Sequence, residues 1–126
     1  MSELTALLKR LESQPRDAKL LHEAATLAEA KGNSRTAAEL FGRLAEFHAL
    51  EGQYLRALSL AKRVMTLDPG LRVHVLIRLS DWSQMLQQPG DAADYLRSAA
   101  EICRSEGRAG EASALEARLA SMKTVA

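Results

Sequence analysis

The chain has a single cysteine, Cys103, so no intramolecular disulfide holds it together. Aromatic side chains make up only 4% of its 126 residues, and there are three prolines. No run of about 18 apolar residues occurs, which argues against a membrane-spanning helix. The N-terminus lacks the apolar core of a secretory signal, and a cytoplasmic setting follows as the expectation. Charge of one sign is also missing: 17 basic and 16 acidic residues are interleaved, for a net of +1. The field needed for non-specific nucleic-acid or membrane binding is therefore absent. No stretch alternates β-branched and polar residues as strands do; Val73-His74-Val75 comes nearest and is too short.

What is present is alanine and leucine, about a third of the chain by count. They recur at steps of three and four, the spacing of a buried helical stripe. Leu4, Leu7, Leu8 and Leu11 predict a first helix over 3–13, capped by Ser2 and ended by Gln14-Pro15. Asp17 caps a second over 18–31, ended by Lys31-Gly32-Asn33, with Ser34 capping the third. Phe41, Leu44 and Ala45 form the stripe of the third helix, and Glu51-Gly52 breaks it. Tyr54, Ala57, Leu58, Ala61, Val64 and Met65 carry the fourth as far as Asp68-Pro69. Three more follow over 70–87, 91–106 and 109–122. Gln88-Pro89-Gly90 and Glu106-Gly107 punctuate them, and Asp91 caps the sixth. The tail from Lys123 to Ala126 is expected to fray.

Laying 37–63 over 92–118 exposes an internal repeat. Nine of the 27 positions agree, among them Glu51-Gly52 with Glu106-Gly107 and Arg63 with Arg118. The organisation read from this is one domain over 1–126: a helix at 3–13, then three-helix units at 17–67 and 71–122. A hairpin of such helices cannot bury its apolar face alone, so the units must stack.

Residues 38–71 also resemble the tetratricopeptide repeat. Counting from Ala38, that family's 34-residue pattern is met by Phe41 at the fourth place, Leu44 at the seventh, Ala45 at the eighth, Gly52 at the fifteenth, Ala57 at the twentieth and Pro69 at the thirty-second. His48 and Ala61 depart from it. A second frame, from Ala18, is met by Leu21, Ala24, Ala25, Gly32, Ala37 and Phe41, but it overlaps the first and lacks the closing proline. The resemblance implies an all-α, short right-handed solenoid of about seven antiparallel helices. It also implies a protein that binds a peptide or amphipathic helix of another protein.

On that basis the partner-facing residues are Lys19, His22, Thr26 and Glu29 in the first frame, and Glu39, Gly42 and Glu46 in the second. Arg78, Asp81 and Trp82 join them from the fifth helix. The family's carboxylate clamp uses a basic residue and an Asn at the fifth and ninth places. Here those places hold His22 and Thr26, then Gly42 and Glu46, so the clamp is not expected. Gly42 has two explanations, close helix packing or room for a ligand backbone. Trp82 shares a stripe with Leu79 and Leu86, which favours core filling over an exposed anchor.

Catalytic patterns are few. His22, His48 and His74 lie far apart in the chain without a neighbouring ligand, unlike metal sites with local spacing. Cys103 falls on an apolar stripe and reads as a buried thiol. Asp91 and Asp94 suit a helix start, and no nucleophile or phosphate-loop motif occurs. The expectation is a non-catalytic, cytoplasmic, bacterial adaptor or scaffold with no cofactor. The alternatives are a homo-oligomer stacking through its first or last helix, a secretion-type chaperone for a small client, and, last, a histidine-based metal enzyme.

Overall fold

The computed structural model describes residues 2–124. Among them are seven α-helices and no strand: α1 (Glu3–Ser13), α2 (Ala18–Ala30), α3 (Ser34–Leu50), α4 (Tyr54–Leu67), α5 (Arg72–Met85), α6 (Pro89–Ser105) and α7 (Ala109–Thr124). No helix among the described residues is long and apolar enough to cross a membrane. The chain divides into two compact units, Met1–Pro69 and Gly70–Ala126.

In the first unit, α1 packs on α2, α2 on α3 and α3 on α4. Ser2 starts α1 by accepting the Thr5 amide on its Oγ at 3.1 Å, and Asp17 starts α2 by accepting that of Leu20 on its Oδ1 at 3.0 Å. Each side-chain oxygen satisfies an amide that the first turn leaves unpaired. Leu4, Leu7 and Leu11 of α1 are buried, as are Leu20, Leu21, Ala24, Ala25 and Ala28 of α2. The centre of the unit is Phe41, fully buried, with Leu40, Leu44 and Ala45 of α3 and Ala57, Ala61 and Val64 of α4. Alanines at these positions let helix axes come close while Phe41 and the leucines fill the space beside them.

The second unit packs α5 on α6 and α6 on α7. Its core is Val75, Leu76, Leu79 and Trp82 of α5, Leu96, Ala99 and Cys103 of α6, and Ala112 and Leu115 of α7. Two serines of α5, Ser80 and Ser83, are buried as well. Ser80 donates its hydroxyl hydrogen to the carbonyl of Ala92 on α6 at 2.8 Å, which meets the cost of burying it.

Four of the turns share one construction. Each helix ends with a residue in left-handed backbone, followed by an amide that reaches back to the carbonyl five residues earlier. The amide–carbonyl pairs are Asn33 to Ala28 (2.9 Å), Gln53 to His48 (2.8 Å), Gln88 to Ser83 (2.9 Å) and Arg108 to Cys103 (2.7 Å). This is the Schellman arrangement. Three residues separate the helices at every one of these turns, which makes sequence neighbours antiparallel. The helix starts follow the internal repeat of the sequence. Ser34 and Tyr54, which open α3 and α4, fall in the same register as Pro89 and Ala109, which open α6 and α7.

Several expected boundaries shift. Asn33, not Ser34, occupies the cap position of α3, and its side chain makes no cap bond. Gln88 caps α6, Pro89 is its first residue, and Asp91 lies in its first turn. Proline needs no amide partner there, so it opens this helix instead of closing the one before. The helix expected over 70–87 is a 3₁₀ turn at Pro69–Leu71 followed by α5, because Pro69 and Gly70 favour the tighter start. Lys123 and Thr124 continue α7; Val125 and Ala126 lie outside the described residues.

Candidate partner-binding faces

In the first unit, the residues expected to face a partner fall into two sets. Thr26 stands exposed on α2 and Glu39 on α3, with Lys19 and His22, also exposed, nearer the start of α2. Gly42 and Glu46 are half-buried. Glu29, the last of the α2 series, is already engaged: its carboxylate accepts from Arg63 of α4. The Arg63 guanidinium carbon also sits 4.7 Å from the centroid of the Phe41 ring. One cation thus joins α2, α3 and α4 by an ion pair and a cation–π contact.

Gly42 is not explained by close packing. A Cβ built there would meet Val64 Cγ2 at 4.0 Å, an ordinary contact, with nothing nearer. The helix has room for a methyl group, so Gly42 leaves a notch on α3 instead of relieving a clash. Nearby, His48 Nδ1 and Gln53 Oε1 are 3.0 Å apart, tying the end of α3 to the start of α4. Arg43 donates to the carbonyl of Pro15 at 3.3 Å and fastens α3 to the α1–α2 turn.

The second unit brings Arg78, Asp81 and Trp82 together but gives them different work. Asp81 accepts from Arg78 on one oxygen and from Arg118 of α7 on the other, both at 2.9 Å. Arg78 lies over the Trp82 ring at 4.9 Å from its centroid. Trp82 itself is only 3% exposed. It is therefore withdrawn as a partner contact: its indole belongs to the core with Leu79, and Arg78 covers its face. A shallow depression beside Arg118 is lined by Gln84, Ala117, Ser121 and Met122.

Sequence reasoning missed Arg63 and Arg118 as members of these clusters. The signal was available: they are one of the nine pairs matched between 37–63 and 92–118. In each unit that arginine, on the last helix, reaches a carboxylate on the helix two earlier. At the α6–α7 turn, Arg108 pairs with Glu111 and Glu106. The hydrogen bond from Arg108 holds the Glu111 carboxyl below the usual carboxylate range, and the same contacts push Arg108 above the ordinary arginine value.

His48 is half-buried, and His22, His48 and His74 sit on three separate helices. Cys103 is fully buried. Among the described residues no three His, Cys, Asp or Glu side chains gather where a metal ion could be held.

The fold defines two all-α units, each a row of helices packed in chain order and tied across by an arginine–carboxylate pair. No family model and no curated protein matches the chain. Among solved structures it is similar to one described as the crystal structure of MamA, with a TM-score of 0.46 at 13% identity, covering 96% of this chain and 86% of that one. A second, the crystal structure of MamA protein, gives a TM-score of 0.45 at 12% identity, covering 96% and 81%.

Proposed function

We propose that the chain is a non-catalytic adaptor of the tetratricopeptide-like kind, acting in the cytoplasm by binding a peptide or amphipathic helix of another protein. The supporting observation is the pair of equivalent arginines. Arg63 and Arg118 each clamp the third helix of a three-helix run to the first. The exposed side chains on these helices are held relative to one another by the core packed beneath them before any partner arrives, and the arginine ties add to this at the surface. Preorganisation of this kind reduces the ordering cost of association. In the first unit the helices so held carry Lys19, His22, Thr26 and Glu39, with the Gly42 notch on α3, a polar surface with a recess for a partner backbone. The faces need no cofactor for this role.

Stacking of copies through the α1 leucines is not favoured. Leu4, Leu7 and Leu11 are already covered within the first unit, and the outer face of α1 is mostly polar, with Lys9, Arg10, Glu12 and Ser13 beside Ala6.

The test is quantitative capture of partners by the tagged full chain from its own cells, with chemical cross-linking. Thr26→Lys and Glu39→Lys, both exposed, should abolish recovery of a stoichiometric partner while leaving the melting temperature unchanged. A chain that captures no protein, or captures the same one equally well with both substitutions, would refute this assignment.

A further inference from the structure

Every helix but one carries both signs of charge. The exception is α4, whose fourteen residues include Arg56, Lys62 and Arg63 and no carboxylate. All three are exposed, on one face with Ser59 and Thr66, while Ala57, Leu58, Ala61 and Val64 are buried on the other. Arg56 and Lys62 have no ion-pair partner among the described residues. Arg63 uses part of its guanidinium on Glu29 and stays half exposed. An arginine has five N–H donors, so one carboxylate does not exhaust it. At 1.5 Å per residue the cations span about 10 Å of the helix axis. At the N-terminal end of the stripe, Leu55 is 68% exposed, and across the Gly52 turn Leu50 is 79% exposed. These two exposed leucines flank the turn that leads into the all-basic stripe, and each leaves an apolar side chain in water.

We propose that this face of α4 docks an acidic amphipathic segment of a partner protein, its carboxylates over Arg56, Lys62 and Arg63 and an apolar side chain against Leu50 and Leu55. Charge complementarity selects the occupant. Three cations on one helix, in a chain of net charge +1, match a few carboxylates and are too few for a phosphate backbone, whose binding draws on many contacts. The inference rests on the adaptor assignment and adds the chemistry of the partner and a second contact face.

The probe is a short fluorescein-labelled helical peptide with Glu on one face and Leu near one end, titrated with the full chain and followed by anisotropy. A peptide with Lys in place of Glu, a duplex oligonucleotide and anionic vesicles form the other arms. The acidic peptide should bind, and binding should weaken as salt rises from about 50 to about 300 mM, as the screening length shortens. Arg56→Glu with Lys62→Glu should weaken it tenfold or more, and Leu55→Ser should weaken it several-fold. Arg35→Glu with Lys9→Glu, exposed cations on α3 and α1, should leave it unchanged. Circular dichroism melts confirm that each variant folds.

Equal loss from the control pair, tighter binding of the oligonucleotide or vesicles, or no binding of the acidic peptide would overturn the proposal. The adaptor assignment fails separately. If Thr26→Lys and Glu39→Lys abolish capture of the cellular partner while reversing the α4 charges does not, the α4 face is wrong and the adaptor stands.

Discussion

Gln87 is the one non-glycine residue in left-handed backbone among those described, with φ of 59°. In the α5–α6 turn it holds the place that Gly32, whose φ is 79°, holds in the α2–α3 turn. A side chain there crowds the following carbonyl, at a cost of about 1 kcal/mol that glycine avoids. Glycine gives some of this back through a freer unfolded chain. Gln87→Gly should therefore stabilise the protein by about 0.5–1 kcal/mol in urea denaturation, whereas Gly32→Gln should destabilise it by a similar amount. At Gly42 the argument runs the other way. The backbone is helical and a methyl group meets only Val64 at 4.0 Å, so Gly42→Ala should add about 1 kcal/mol of stability. A more stable Gly42→Ala chain that no longer captures its partner would mark the notch as a contact; one that captures it normally would make Gly42 a plain helix defect.

At the scale of the helix, α1 is the element most open to local loss, because it is the shortest α-helix and its packing on α2 is the sparsest between successive helices of either unit. Its hold consists mainly of Leu4, Leu7 and Leu11. Removing the Leu11 side chain beyond Cβ should cost about 2–4 kcal/mol. In Leu11→Ala, native-state hydrogen exchange should lose protection in α1 first, with α3 and α4 little changed. Uniform loss across the unit would mean that α1 is cooperative with the rest. The helices were legible in the sequence because their signals are local: a stripe at steps of three and four, a Ser or Asp cap, a glycine turn. Buried Cys103 was legible for the same reason. The start of α6 was misjudged because Pro89-Gly90 reads equally as a stop and as an opening. It is an opening because Gln87, a residue no turn rule would choose, takes the left-handed position. The repeat marked Arg63 and Arg118 as equivalent positions, but their carboxylate partners were not legible, since Glu29 and Asp81 lie 34 and 37 residues away and only folding brings them near. Trp82 shows the reverse case: its stripe with Leu79 announced the burial that is found, although its helix had placed it among the partner-facing residues.

For the molecule as a whole, the order of packing governs how it assembles. Within each unit a helix meets the helix before it and the helix after it, across turns of three residues or few more. Little chain has to be closed before a contact forms, so the entropy lost ahead of each gain is small. Hairpins can form independently and extend by adding one helix at a time, as linear arrays do. The exposed ion pairs, Arg97 with Asp94 and Arg104 with Glu116 among them, add little to this and are screened by salt. Stopped-flow or temperature-jump refolding should therefore show a main phase on the millisecond scale or faster, nearly indifferent to salt. A dominant phase of seconds would mean that distant segments must meet before any helix pair is stable, and the picture of assembly by neighbours would have to be abandoned.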